Sequence, residues 1–491
     1  MAKALKIVSI STEVSPFSKA GGLGDVARSL PKAIKRLGHQ VIIITPLYKT
    51  IDRKKFKLNL IISDIALRID STTTRHFAVW QGWLMDDLPV YFIDSKRYFS
   101  QHSRIYGSRF DNRRFFFFNL AALEVLRTIK YKPDVIQCHD WQVGLVPYFI
   151  NKRFSQDSIL KDSATVFTIH NLAFQSGHNW WSIPNKLKDM GRAKLPNFEE
   201  REKIERINFA KRAIINADII NTVSEQYAQE IMTKNFGQDL HQHLGKKADR
   251  VFGIINGLDY EVFNPATDPG LKVNYDSHHL DNKEANKVYL QKMFKLPVNS
   301  AIPVIGMATR ISEQKGFDLI MDIIDPLIRL DFQLVLVGGG EKKYEKFIRQ
   351  ARDKYPTKIA AHLKFSTKIA TLIYAGSDLF LMPSRFEPCG LGQLISSRYG
   401  SVPIVRATGG LADTVTNYNP RTEHGDGFVF KSYDSRDMLV AITRAIENYC
   451  HQTKWQQLVS KIMQRSFGWE VPAKKYLVLF KKAIRFKKRD K

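Results

Sequence analysis

In each half of the chain, apolar strand-like runs break into glycine-rich loops that open helical patterns. This repeated order limits the fold more than any other feature. In the first half Ile7–Ile10 leads through a long loop to Gly21-Gly22-Leu23-Gly24-Asp25, a helical run from Val26 to Leu37, and a second apolar run at Val41–Thr45. In the second half Asp378–Pro383 leads to Ser384–Gln393 and a helical run through Leu394, Ile395 and Tyr399. Val402–Val405 then leads to Thr408-Gly409-Gly410-Leu411-Ala412-Asp413. Strand, loop and helix in this order make βαβ units and hence parallel sheets. The fold class read from the pattern is α/β, with two doubly wound Rossmann-like domains facing an interdomain cleft.

Composition narrows the class. A chain of 491 residues, 44% hydrophobic and 25% charged, has the make-up of a globular protein of about two or three domains. No apolar run reaches bilayer-spanning length, so no membrane partner is expected. The N-terminus enters a strand directly, without the apolar core and cleavage site of a secretory leader. Cys138, Cys389 and Cys450 are too scattered for a disulfide framework or a zinc site, which fits a reducing, cytoplasmic location. The formal net charge of +27 raises the question of a nucleic-acid partner. Basic residues are spread along the chain, with short runs at Arg53-Lys54-Lys55 and Lys487-Lys488-Arg489. No zinc-finger spacing or aromatic RNA-binding signature accompanies them. The favoured reading is a solvated basic surface with an anionic small-molecule substrate, and nucleic acid is not expected.

The candidate site residues fall where strands end. Gly22-x-Gly24-x-x-Ala27 matches a dinucleotide fingerprint, but roughly ten residues separate it from its strand, whereas that fingerprint needs a tight turn. The next strand ends in Thr45-Pro46-Leu47-Tyr48, with no acidic residue to hold a ribose, so a nicotinamide or flavin enzyme is disfavoured. Lys19 ahead of Gly21 and Gly22 instead suits phosphate: the glycines permit close backbone approach and the lysine adds a point charge. His139-Asp140-Trp141 and His170-Asn171-Leu172 follow the predicted strands Val135–Cys138 and Thr165–Ile169, at the carboxyl edge where open α/β sheets bind ligands. Phe115–Phe118 reads as core, with one ring free to face the cleft. Residues 175–202, with Trp180 and Trp181, read as a loop or short-helix insertion. In the second half, Arg310 and Lys315 share the loop between strand Pro303–Ala308 and a helix over Leu319–Ile328, two cations suited to a diphosphate. Glu387 lies just before a glycine-containing helix start, where amides and the dipole favour an anion. Amides for phosphate beside a carboxylate for hydroxyls describe a sugar transferase that uses an activated nucleotide sugar. No Asp-x-Asp pair occurs, so neither a metal nor another cofactor is expected.

These residues carry a family resemblance. Lys19-x-Gly21-Gly22-Leu23-Gly24-Asp25-Val26 resembles the N-terminal signature of bacterial glycogen synthases and plant starch synthases. Tyr106-Gly107 with Asp111-Asn112, His139-Asp140-Trp141, Thr168-Ile169-His170-Asn171 and Gly253-Ile254-x-Asn256-Gly257-x-Asp259 continue it. Arg310-x5-Gly316 with Lys315, Glu387-Pro388-Cys389-Gly390-Leu391-x-Gln393 and Thr408-Gly409-Gly410-Leu411-x-Asp413-Thr414-Val415 complete it, in order over the whole chain.

The resemblance implies the GT-B architecture, with domains at 1–245 and 246–470 and a C-terminal crossover helix, 471–491, completing the first. It implies transfer of glucose from ADP-glucose to the non-reducing end of glycogen or a malto-oligosaccharide, with retention. UDP-glucose or another acceptor is the alternative. It assigns His170, Arg310, Lys315, Glu387 and Asp140 to the catalytic set: the cations on the diphosphate, Asp140 and His170 at the glucose, Glu387 on glucose hydroxyls. Among substrate contacts it places Lys19, Gly21, Gly22, Asp25, Tyr106, Asn171 and Asn256 in the first half. In the second it adds Cys389, Gly390, Leu391, Thr408, Gly409 and Gly410. Cys389 is not implied to be a nucleophile. The sequence departs from the family pattern at Ala20 (commonly Thr), Gln142 (commonly His), Gly392 (commonly Thr) and Ile395, where related transferases carry a second Glu.

Overall fold

The computed structural model describes residues 3–85, 87–177 and 180–490. The chain divides into two compact units, one running to Gly257 and taking up the chain again from Trp469, the other spanning Leu258–Gly468.

Among its described residues the first unit holds a nine-stranded sheet: β1 (Lys6–Ile10), β2 (Gln40–Pro46), β3 (Asn59–Arg68), β4 (Thr74–Met85), β5 (Leu88–Asp94), β6 (Val135–His139), β7 (Ala164–Ile169), β8 (Ile219–Thr222) and β9 (Val251–Gly253). Their order is β3-β4-β5-β2-β1-β6-β7-β8-β9. All pairs are parallel except β3–β4 and β4–β5, which form an antiparallel meander at one edge. Every residue of β6, β7 and β8 is buried, as expected of strands covered on both faces. All four rings of Phe115–Phe118 are buried in this core, so none faces a cleft. The helix Asp111–Thr128 that carries them packs under the meander and β2.

The apolar pattern over Ile204–Asn216 is two helices, Arg201–Glu205 and Phe209–Asn216. The break comes at Asn208, whose side chain caps the second by accepting from the Lys211 N–H. Val251–Gly253 pairs with β8 and is the last strand of the first sheet. The C-terminal helix, Glu470–Arg489, packs on β6, β7 and the helix Gly22–Arg36. Its basic end is not frayed: Lys487 is 9% exposed and donates to Asn151 Oδ1 at 2.9 Å.

The second unit holds, among its described residues, a six-stranded parallel sheet: β10 (Val304–Ala308), β11 (Gln333–Val337), β12 (Ile359–His362), β13 (Leu379–Met382), β14 (Val402–Arg406) and β15 (Phe428–Phe430). The order β12-β11-β10-β13-β14-β15 reverses direction between β10 and β13, the topological switch point of a Rossmann-type sheet. In the first sheet the corresponding reversal lies between β1 and β6.

Some of the positive charge works inside the units. Lys283 Nζ donates to the carbonyls of Ala375 and Ser377, at 2.7 and 2.8 Å, at the end of the helix Thr367–Gly376. Lys247 does the same for Ile215 and Ala217, and Lys358 for Ile328 and Leu330. Each satisfies terminal helix carbonyls and opposes the negative end of the dipole. Burial lowers the Lys283 and Lys247 ammonium groups to about 8.

Candidate active site

In the first unit, three strand ends at the switch point supply the polar groups. The loop after β1 is organised by Glu13, which the sequence pattern did not single out. Glu13 is 2% exposed. Oε2 accepts from the Ala20 and Gly21 N–H groups at 2.5 and 2.9 Å, and Oε1 accepts from the Tyr106 hydroxyl at 2.6 Å. The Gly21 amide, expected to meet phosphate, therefore already holds an internal anion. Tyr106 is tied into the same network through Thr12 Oγ1 at 2.8 Å. Burial first, and the Glu13 charge second, raise the Tyr106 phenol well above its ordinary range. Lys19, Ala20, Gly21 and Gly22 remain exposed, and Lys19 Nζ pairs with Asp25 at 2.8 Å. The only local signal for Glu13 was an acidic residue three positions past a strand end.

His139, the last residue of β6, is followed by Asp140 at φ +61, ψ 177, a region essentially reserved for glycine. The strain is held by two hydrogen bonds to the neighbouring strand end. The Asp140 N–H donates to Thr168 O at 2.9 Å, and Asp140 Oδ1 accepts from the His170 N–H at 2.7 Å. Burial raises the Asp140 carboxyl to about 7, against the lowering effect of the His170 and Asn171 amides. Burial also lowers His170 to about 3 and His139 well below the ordinary imidazole range, so both rings are neutral. His139 Nδ1 and His170 Nε2 are 3.0 Å apart. Asn171 turns its Oδ1 to the Ala173 N–H at 3.0 Å and so shapes the loop. Asn256 is buried, and its Oδ1 has no partner among the described residues.

In the second unit the loops after β10, β13 and β14 meet. Lys315 Nζ reaches Glu387 Oε2 at 2.5 Å, and the Ser384 hydroxyl donates to the same oxygen at 2.9 Å. Glu387 is 7% exposed. Arg310 is exposed, its guanidinium 3.5 Å from Gln314 Oε1. The loops are locked by backbone contacts that only glycine allows. Gly316 has φ +78, and a Cβ there would lie 2.2 Å from the Pro383 carbonyl oxygen. A Cβ on Gly409 or Gly410 would lie 2.0 Å from the Glu387 or Cys389 oxygen, respectively. The Gly410 N–H donates to the Glu387 and Pro388 carbonyls at 3.1 and 3.2 Å, so this amide braces the neighbouring loop. Thr408 is buried at the start of the helix Gly409–Thr414. Gly390 has φ +70, and Leu391 leads into the helix Gly392–Arg398. Gln393 Nε2 bridges Cys389 O and Thr414 Oγ1 at 3.0 and 3.1 Å, tying the last two loops together. Among the described residues, no three His, Cys, Asp or Glu side chains gather as a metal site.

Two Rossmann-type units, each with glycine-rich loops and charged side chains at its switch point, have the GT-B fold of nucleotide-sugar glycosyltransferases. The model of the starch synthase catalytic domain matches residues 6–246, and that of group 1 glycosyl transferases matches residues 290–461. The glycogen synthase of Pseudothermotoga lettingae is 41% identical over 98% of this chain and 100% of its own length. That of Desulforudis audaxviator is 43% identical over 98% and 97%. The catalytic domain of starch synthase IV from Arabidopsis thaliana, solved with ADP and acarbose, superposes with a TM-score of 0.86 at 34% identity, over 98% of this chain and 100% of that one. A sucrose-phosphate synthase from Thermosynechococcus elongatus shares the fold, with a TM-score of 0.60 at 16% identity. The chain is a glycosyltransferase and belongs to the glycogen synthase family.

Proposed function

We propose that the protein transfers glucose from ADP-glucose to the non-reducing 4-OH of glycogen or a malto-oligosaccharide, releasing ADP and keeping the anomeric configuration. The observation that carries this reading is the Lys315–Glu387 pair at the switch point of the second sheet, held within one network of glycine-braced loops. Cleaving the sugar–phosphate bond builds negative charge on the leaving diphosphate, which Lys315 and Arg310 stabilise. Glu387 accepts hydrogen bonds from glucose hydroxyls and orients the ring. The sugar becomes oxocarbenium-like, and the His170 backbone carbonyl supplies an oxygen lone pair near the anomeric carbon. Asp140 completes the glucose contacts, and Lys19 contacts the donor. Adenine as the base is supported by the ADP bound to the related starch synthase. Among the described residues no helix is long and apolar enough to cross a membrane. A cytoplasmic site of action, where nucleotide sugars are made, goes with this reading.

The test is to incubate the protein with ADP-glucose or UDP-glucose and glycogen, without added metal, and to follow nucleotide release and chain length. ADP release with growth of α-1,4 chains is expected. Turnover with UDP-glucose alone would correct the donor, and turnover with neither would overturn the proposal.

A further inference from the structure

Three side chains on adjacent strands of the first sheet form one hydrogen-bonded row. Ser9 lies on β1, His139 ends β6 and His170 follows β7, and these three strands are neighbours. Ser9 Oγ is 3.1 Å from His139 Nε2, and His139 Nδ1 is 3.0 Å from His170 Nε2. Ser9 and His139 are 1% and 0% exposed, while His170 is half-buried at the outer end of the row. Both imidazoles are neutral through burial, so each carries a single N–H.

Such a row has two polarities. In one, the Ser9 hydroxyl donates to His139 Nε2, the His139 Nδ1–H donates to His170 Nε2, and His170 carries its own hydrogen on Nδ1. In the other, every donor reverses and His170 Nδ1 is a bare lone pair. The second requires another acceptor for the buried Ser9 hydroxyl, and among the described residues Ser9 Oγ has no partner besides His139 Nε2. A buried donor without an acceptor bears its full desolvation cost. The first polarity satisfies each hydrogen, and the tautomer of one ring is set by the bond its other nitrogen makes.

We infer that Ser9 and His139 are positioning residues that fix His170 as the Nδ1–H tautomer, so that it presents a hydrogen-bond donor to a hydroxyl oxygen of the transferred sugar. The assignment of the sugar rests on the function proposed above, whereas the tautomer is a property of the free protein.

Two-bond ¹H–¹⁵N correlation spectra of histidine-labelled protein read the tautomer directly, with the His170 signals identified by their loss in His170→Gln. The wild type is expected to show His170 protonated at Nδ1. Ser9→Ala is expected to mix the two tautomers and to lower kcat/KM for the donor about five- to tenfold, the loss of one well-placed hydrogen bond. Ser9→Thr, which keeps the hydroxyl, is expected to restore both. A wild-type spectrum with His170 protonated at Nε2 would overturn the inference without any variant. An unchanged tautomer in folded Ser9→Ala would do the same. Failure of the protein to turn over any nucleotide sugar would sink the sugar assignment and leave the spectra to decide the tautomer.

Discussion

Lys315 Nζ lies 2.5 Å from Glu387 Oε2, joining the loop after β10 to the loop after β13 across the switch point of the second sheet. Both side chains are largely buried, at 16% and 9% exposure. Lys315→Ala is expected to lower turnover by a factor of roughly one hundred or more, through lost stabilisation of the leaving group. Initial rates of ADP release at saturating donor check this, and a near-wild-type rate would refute the role given to Lys315.

Gly410→Ala tests the bracing between loops. The added methyl would lie 2.0 Å from the Cys389 oxygen, in contact with backbone that has no flexible end to move. The Glu387–Leu391 loop must shift, and placement errors of about 1 Å cost on the order of a hundredfold in rate. A variant that melts within a few degrees of the parent yet retains its activity would rule out the bracing.

Asp140 gives the first unit a pH signature. Its carboxyl is raised from 3.8 to about 7, so between these values the folded state binds a proton that the unfolded chain has released. The resulting stabilisation is complete below the unfolded value and is lost as pH rises through the folded one. Asp140→Asn keeps an oxygen for the His170 N–H and removes the titration. The stability difference between pH 5 and pH 8 is therefore expected to shrink by about 1–2 kcal/mol, discounted from the ~1.4 kcal/mol carried by each pK unit because the group is partly exposed. Denaturant titrations of parent and variant at both pH values supply the comparison.

Glu13 anchors the Lys19 loop through two amides and Tyr106. Glu13→Ala leaves those donors without their acceptor, and a loss of about 1–3 kcal/mol in stability is expected. The freed loop is expected to raise the donor KM more than it lowers kcat. Glu13→Gln, which can accept from one side only, should fall between. Equal donor KM values in all three proteins would count against the clamp.

Legibility followed local pattern. Buried parallel strands such as β6, β7 and β10 read as mostly apolar runs between turn signals, and their carboxyl ends point to the candidates Asp140, His170, Arg310 and Lys315. β3 and β4 are not legible, because an edge meander exposed along much of its length lacks such a run. β12 and β15, of four and three residues, are too short to display a period. Glu13, Ser9 and Ser384 are not legible in the sequence because each is defined by its partners: a lone serine carries no signal of its own, and Glu13 offers only its place shortly after a strand end.

The sequence by itself determined the α/β class, the order of the motifs and the residue types at the strand ends, since these depend on propensity, burial pattern and turn chemistry within short windows. Only the tertiary structure decided which strand ends are neighbours. Ser9 and His139 are 130 positions apart, and Lys315 and Glu387 are 72 apart. Whether such pairs meet depends on strand order, which is fixed by packing of the whole sheet rather than by any local stretch of chain.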